Sequence, residues 1–190
     1  MGNYERFEKL QSKLESARSV SRSILSECDD PENPPGAYYE AVEHQLELQE
    51  GRNKCAIQVV VFSAMYLEAF IYEFAAWKES DSYIKKYLDG LDFVSKWVVI
   101  PRLVVGKEIN RGSHAMELLG KLKSNRNRLV HLKSRSGLVG EELAEHIVRQ
   151  EERIVDGARD AHDAILEIEK ELRNIAPRHI RVRFLNESDG

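Results

Sequence analysis

The chain has 190 residues, 42% hydrophobic and 32% charged, with 28 Lys and Arg against 32 Asp and Glu and a formal net charge of −4. That composition suits a soluble globular protein with room for one domain and a sizeable core, or a domain plus a short tail. Its two cysteines, Cys28 and Cys55, make neither a disulfide framework nor a CxxC pair, so a reducing cytosol is the default setting.

The opening MGNYERFEKL carries charges where a signal peptide needs an apolar run, and Arg6 breaks the myristoylation pattern; a cytoplasmic protein is expected. Apolar residues at Phe7, Leu10, Leu14, Ala17, Val20 and Ile24 recur at threes and fours and predict an amphipathic helix over 3–27. Asp29-Asp30-Pro31 through Pro34-Pro35-Gly36 ends it. A shorter helix follows over 38–50, interrupted or bent near Gly51. The segment 53–79 is apolar almost all round, as in a helix enclosed by others. Its stretch from Ala56 to Trp77 has nearly the length of a membrane span, but Glu68 and Glu73 would cost several kcal/mol in a bilayer, so a buried central helix is expected.

Residues 80–91 read as a polar loop. Asp92 to Ile100 form a helical piece around Trp97, stopped or kinked by Pro101. After a polar, Gly-containing stretch at 106–113, a further helix carries Leu118, Leu119 and Leu122 forward. The last long helix has Ile154, Ala158, Ala161, Ile165, Ile168, Leu172 and Ile175 at alternating fours and threes, a heptad-like seam for the first helix or a second subunit. Pro177 ends it, and the alternating tail 178–184 is an edge strand or a basic arm. No repeat, Gly-rich phosphate loop or βαβ pattern occurs. The expected fold is all-α: a bundle of four to five helices in a single domain over 1–176, with a short basic C-terminal tail over 177–190.

Lys121 to Arg135, KLKSNRNRLVHLKSR, stands apart: six Lys or Arg and no acid. Without those six, 22 basic side chains face 32 acidic ones, a balance of −10. A positive island in an acidic protein is a local device, although charge alone equally fits a solvated helix face paired to neighbouring acids. Within the island lies Arg126-Asn127-Arg128-Leu129-Val130-His131. At 100° per residue Arg126 and His131 stand roughly 140° apart, whereas Asn127 and His131 share a face. Arg126 falls on the row of Leu119, Leu122 and Leu129, so it snorkels outward, pairs with a buried acid or enters an interface. For Arg126 and His131 to act on one substrate, the helix starts or distorts near here, or two copies meet.

The Arg-Asn-Arg-Leu-Val-His run resembles the Arg-x4-His signature of the HEPN superfamily, in which a polar residue, often Asn, follows the Arg. Tyr66-Leu67-Glu68-Ala69-Phe70-Ile71 resembles that family's second core helix, and Lys96-Trp97 before a Pro-containing apolar stretch is similar to prokaryotic members. The resemblance covers about residues 50 to 175. It implies a helical bundle that dimerises with its motifs facing each other. Many members are metal-independent endoribonucleases, hydrolases of toxin–antitoxin or antiviral defence systems; others have lost catalysis and serve as binding modules. No fused nucleotidyltransferase is present, so a partner of that kind, or an antitoxin, would be a separate chain. Leu132-Lys133 after the His departs from the variant in which a Tyr extends the motif.

On that resemblance His131 takes a proton from the RNA 2′-hydroxyl, and Arg126 places its planar cation on the non-bridging oxygens. Asn127 hydrogen-bonds a phosphate oxygen or fixes the His131 tautomer. A second copy's His131 protonates the leaving oxygen. Lys121, Lys123, Arg128, Lys133 and Arg135 hold flanking phosphates. Glu68 either pairs with Arg126 and holds it in place or lies on a polar edge facing solvent or another basic residue. No cofactor and no metal are implied: His44, His114, His146, His162 and His179 lack ligand spacing, and His162-Asp163 falls on the seam helix. Tyr38, Tyr39 and Trp77 read as core rather than base-stacking aromatics. Two rivals to the RNase stay open: a HEPN-fold binding or regulatory module without catalysis, and a helical protein that binds nucleic acid by phosphate contacts alone.

Overall fold

The computed structural model describes residues 2–130 and 139–177. His131, Lys133, Arg135 and the 178–184 tail lie outside the described residues. Among the described residues the fold is all-α, without strands: α1 Asn3–Ser26, α2 Gly36–Ala76, α3 Asp81–Tyr83, a π-helical segment Ile84–Leu88, α4 Phe93–Val105, α5 His114–Val130 and α6 Glu141–Ile175. Six α-helices replace the expected four to five, because α3 forms inside the stretch read as a loop.

The chain divides into two compact units, Met1–Val59 with Leu138–Ala158, and Val60–Gly137 with Arg159–Gly190. In the first, Phe7 and Leu14 of α1 are fully buried, and a cation, Arg52, is buried as well, at only 4% exposed. Arg52 donates from Nη1 to Gln11 Oε1 at 3.2 Å, and its Nη2 lies 3.8 Å from Glu151 Oε2. Gln49 and Asn53 donate to the other Glu151 oxygen at 2.5 and 3.2 Å. A buried guanidinium needs such partners on every side, and these tie α1, the first half of α2 and α6 together.

That clamp bears on Gly51. Instead of two helices with a bend between them, α2 is one continuous helix from Gly36 to Ala76. The Gly penalty of about 1 kcal/mol is small against side-chain anchoring by Gln49, Arg52 and Asn53 on the adjoining turns. Nor is the apolar half of α2 enclosed. Phe62 is 52% exposed and Met65 58%. Length and composition alone would let α2 cross a membrane, and half of its most apolar window is buried within the protein.

In the second unit, Leu67, Ile71 and Phe74 of α2, Trp97 and Ile100 of α4, Leu118, Leu119 and Leu122 of α5, and Ile168 and Leu172 of α6 form the core, each at most 2% exposed. Phe70 stacks on Trp97 with centroids 6.2 Å apart and planes 5° from parallel. The seam of α6 is buried here at Ala161, Ile168 and Leu172. The stretch around 80–91 is helical, capped by Ser80, and Asp89 N–H donates to the Ile84 carbonyl at 2.9 Å in the wider π pattern. That register buries both Ile84 and Leu88.

Pro101 does not stop α4, which runs on to Val105. The ring is buried, and its apolar packing offsets the one backbone bond it removes. The helix ends instead at Gly106, whose φ of 71° is the left-handed conformation a Cβ disfavours, and Lys78 Nζ donates to the Leu103 carbonyl at 2.7 Å.

Gly51→Ala tests the continuity of α2. An added Cβ would meet only Leu10 Cδ1 at 3.8 Å and Cδ2 at 4.0 Å, ordinary contacts. The substitution is expected to stabilise the protein by about 0.5–1 kcal/mol, read as a raised urea midpoint. A lowered midpoint would place a break at Gly51.

Candidate active site

All described residues of the Arg-Asn-x-x-x-His motif lie at the C-terminal end of α5, which begins at His114 and runs through Val130. A helix start near Arg126 is therefore not what reconciles Arg126 with His131. Leu119 and Leu122 are fully buried on the row leading to Arg126, whose side chain keeps 29% of its surface exposed.

Arg126 Nη1 donates to Glu68 Oε2 at 3.4 Å. The guanidinium also lies over the Phe93 ring, 5.8 Å from its centroid. Its Nε and Nη2 both donate to Asn127 Oδ1, at 3.3 and 3.1 Å. Asn127 thus braces Arg126 directly, with its carbonyl oxygen already occupied by the fork. Of the two placements open to Glu68, it takes features of both. It pairs with Arg126, yet its side chain is 41% exposed, and its other oxygen meets a second cation.

That cation is Lys96, 7% exposed, whose Nζ lies 3.3 Å from Glu68 Oε1 and 3.3 Å from Asp89 Oδ1. Asp89 is presented by the end of the π-helical segment. The four charges form a chain, Asp89–Lys96–Glu68–Arg126, drawn from the π segment, α4, α2 and α5. An open depression of about 340 Å³ lies beside it, lined by Met65, Glu68, Ala69, Tyr72, Asp89 and Lys96.

The island's other described cations differ from one another. Lys121 Nζ sits 3.0 Å from Glu117 Oε1 and 3.8 Å from Asp160 Oδ1, and the hydrogen bond to Glu117 chiefly holds its pKa above the ordinary lysine value. Lys123 Nζ donates to Asp92 Oδ1 at 2.9 Å. Arg128 Nη2 donates to Asn125 Oδ1 at 3.2 Å, with no acid paired to it among the described residues. Two of the expected phosphate-binding lysines are thus internally paired, while Arg128 is exposed.

Phe93, Lys96, Asp89 and Asp92 went unnoticed as site residues in the sequence. A usable signal existed for one of them. Phe93, Lys96, Trp97 and Ile100 follow the i, i+3, i+4, i+7 spacing of a buried face, and a lysine on such a face requires a buried acid partner. Asp89 carried no comparable mark, because its position depends on a π turn.

Tyr66, beside Glu68 in sequence, has its hydroxyl pKa pushed up to about 12, chiefly by burial and further by the charge of Glu169. It is a neutral donor throughout the working range. No family model matches the chain, and neither a curated protein nor a solved structure matches it.

Asp92, the partner of Lys123, is the N-cap of α4. Its carboxylate accepts from Val94 N–H at 3.1 Å, from the Ser95 hydroxyl and from Lys123. The Ser95 hydrogen bond first, then Lys123, hold its carboxyl well below the usual range. A depressed pKa stabilises the fold above the unfolded value of about 3.9, and that contribution is lost as pH falls towards the folded value. Asp92→Ala is expected to lower stability at neutral pH by about 1 kcal/mol. Asp92→Asn, which keeps the cap but loses the charge, should cost less. Urea midpoints should show the wild-type advantage over Asp92→Asn constant near neutrality and shrinking below about pH 4.

Proposed function

We propose that the protein is a metal-independent endoribonuclease of the HEPN type, acting as a cytoplasmic homodimer in a toxin–antitoxin or antiviral setting. The observation that carries the proposal is the state of Arg126. The Arg126 side chain, 29% exposed, is held in orientation by Glu68, Asn127 and the face of Phe93. An arginine held this way before substrate arrives spends little entropy in meeting a phosphate, and its charge does not depend on pH.

In the proposed reaction His131 removes the proton from a 2′-hydroxyl, and that oxygen attacks the adjacent phosphorus. Negative charge growing on the non-bridging oxygens is met by Arg126. The bond to the 5′-oxygen breaks, and a proton from the second copy's His131 completes the leaving hydroxyl. The products are a 2′,3′-cyclic phosphate and a 5′-hydroxyl end. Arg128 holds a neighbouring phosphate, with Lys133 and Arg135 in support.

A second copy has a surface to meet. Phe62, Met65, Ala69 and Tyr72 follow one another on α2 at spacings of three and four, and the first two are more than half exposed. Met65, Ala69 and Tyr72 border the depression beside Glu68. Pairing two chains along this stripe would cover its apolar residues and bring two motifs into one cleft.

Two outcomes test the proposal. RNA incubated with the protein in EDTA should be cut, with cyclic phosphate ends. Arg126→Ala should lower kcat/KM by about 10²–10³ and His131→Ala by about 10²–10⁴, each with the helical circular dichroism of the folded wild type. Undiminished cleavage in both variants would sink the proposal; RNA capture without cleavage by the wild type would make the protein a binding module. Separately, Met65→Asp should shift sedimentation from dimer to monomer and reduce cleavage together.

A further inference from the structure

We infer that Lys96 is a positioning residue that keeps Glu68 from neutralising Arg126, so that the arginine's charge remains available to a phosphate; this rests on the site read above. Glu68 offers one oxygen to each cation, Oε1 to Lys96 at 3.3 Å and Oε2 to Arg126 at 3.4 Å. Two cations on one carboxylate weaken each other's hold. With Asp89, the four groups balance to zero. Deleting Lys96 leaves Glu68 with Arg126 as its one remaining counter-ion among the described residues, and the pair closes into a neutral unit.

Burial distinguishes Lys96 from an ordinary surface partner. Its side chain is 8% exposed, against 41% for Glu68 and 57% for Asp89. A lysine is taken out of water at a cost, and a salt bridge to the open carboxylate of Glu68 recovers little of that in stability. The arrangement makes sense as control of where the Glu68 charge goes. Asp89 competes in turn for Lys96 and sets how much of that cation Glu68 receives.

This chain of competition predicts a pattern of signs that a simple structural role does not produce. Lys96→Met keeps the apolar stem and removes only the charge. Exchange of the Arg126 guanidinium protons, followed by nitrogen NMR and assigned by their loss in Arg126→Lys, should slow by about threefold, the scale of a partly exposed ion pair. Lys96→Arg should leave it near the wild-type rate. Adding Glu68→Gln to Lys96→Met should restore fast exchange, because no anion is left to trap the arginine. Adding Asp89→Asn should not, although it relieves an unpaired acid just as well. Asp89→Asn alone should speed exchange, which keeps the test open should Lys96→Met fail to fold.

Binding of a 2′-O-methyl oligoribonucleotide, which resists cleavage, is expected to follow the same order, weakest in Lys96→Met. Unchanged exchange in both Lys96→Met and Asp89→Asn, or equal restoration by the two added acid replacements, would overturn the role of Lys96. The predicted exchange pattern with no oligonucleotide binding by any variant, wild type included, would leave Lys96 in its role and remove the RNase instead.

Discussion

One carboxylate holds the site together. Glu68 projects from α2 and receives a cation from α4 through Lys96 and another from α5 through Arg126. The three helices that supply these residues are also joined by apolar packing, which fixes distance but not the direction of a polar group, and α5 meets the α4 cap through Lys123 and Asp92. An ion pair this exposed contributes no more than about 1 kcal/mol, so its importance lies in orientation. Phe93 works to the same end, its ring face lying 5.8 Å from the guanidinium carbon, within cation–π reach.

What permits such a weak network to be well defined is the core beneath it. Trp97 follows Lys96 on α4 and is fully buried against Phe70, while Phe70 lies two residues beyond Glu68 on α2. The stack therefore pins the two backbones from which the Lys96 and Glu68 side chains depart. The indole N–H of Trp97 finds no hydrogen-bond partner among the described residues, a cost of about 1–3 kcal/mol. The fold accepts that cost where the ring's area and stacking outweigh it. On α5, Leu119 and Leu122 perform the corresponding service for Arg126.

Helix identity was largely legible in the sequence, because buried faces repeat at threes and fours whatever they pack against. α1 follows from its apolar spacing to within a residue, and the presence of α5 and the end of α6 follow from theirs, although α6 begins at Glu141, thirteen residues before the first seam residue read, Ile154. The misreadings fall where one residue was given too much authority. Gly51 and Pro101 both suggest a break, yet each costs only what packing and side-chain anchors on the adjoining turns can offset. The 80–91 stretch, polar in composition, hides Ile84 and Leu88, an i, i+4 pair that is buried on the π-helical segment. Arg126 and Asn127 were visible as a motif, and Glu68 as an acid on the right helix. Lys96 went unnoticed as a site residue although it lies on an apolar face, and its partner Asp89, presented just after the π-helical segment, carried no mark.

The basic island shows why a count of charges along a chain is a poor guide to the field it makes. Of its described cations, Lys121 is met by Glu117 and Asp160, and Lys123 by Asp92. These lysines lie on α5 turns that face acids from their own helix, from α6 and from the α4 cap. Arg126 shares its acid with Lys96, and Arg128 has only a neutral asparagine partner among the described residues. Positive potential is therefore concentrated towards the C-terminal end of α5, where the helix dipole presents its negative pole and draws cations. The two arginines there are in different states, Arg126 braced and partly neutralised by Glu68, Arg128 exposed beside Asn125. Under the proposed reaction the braced one would suit a fixed geometry at the reacting phosphorus, and the open one a flanking phosphate whose position varies from one RNA to the next.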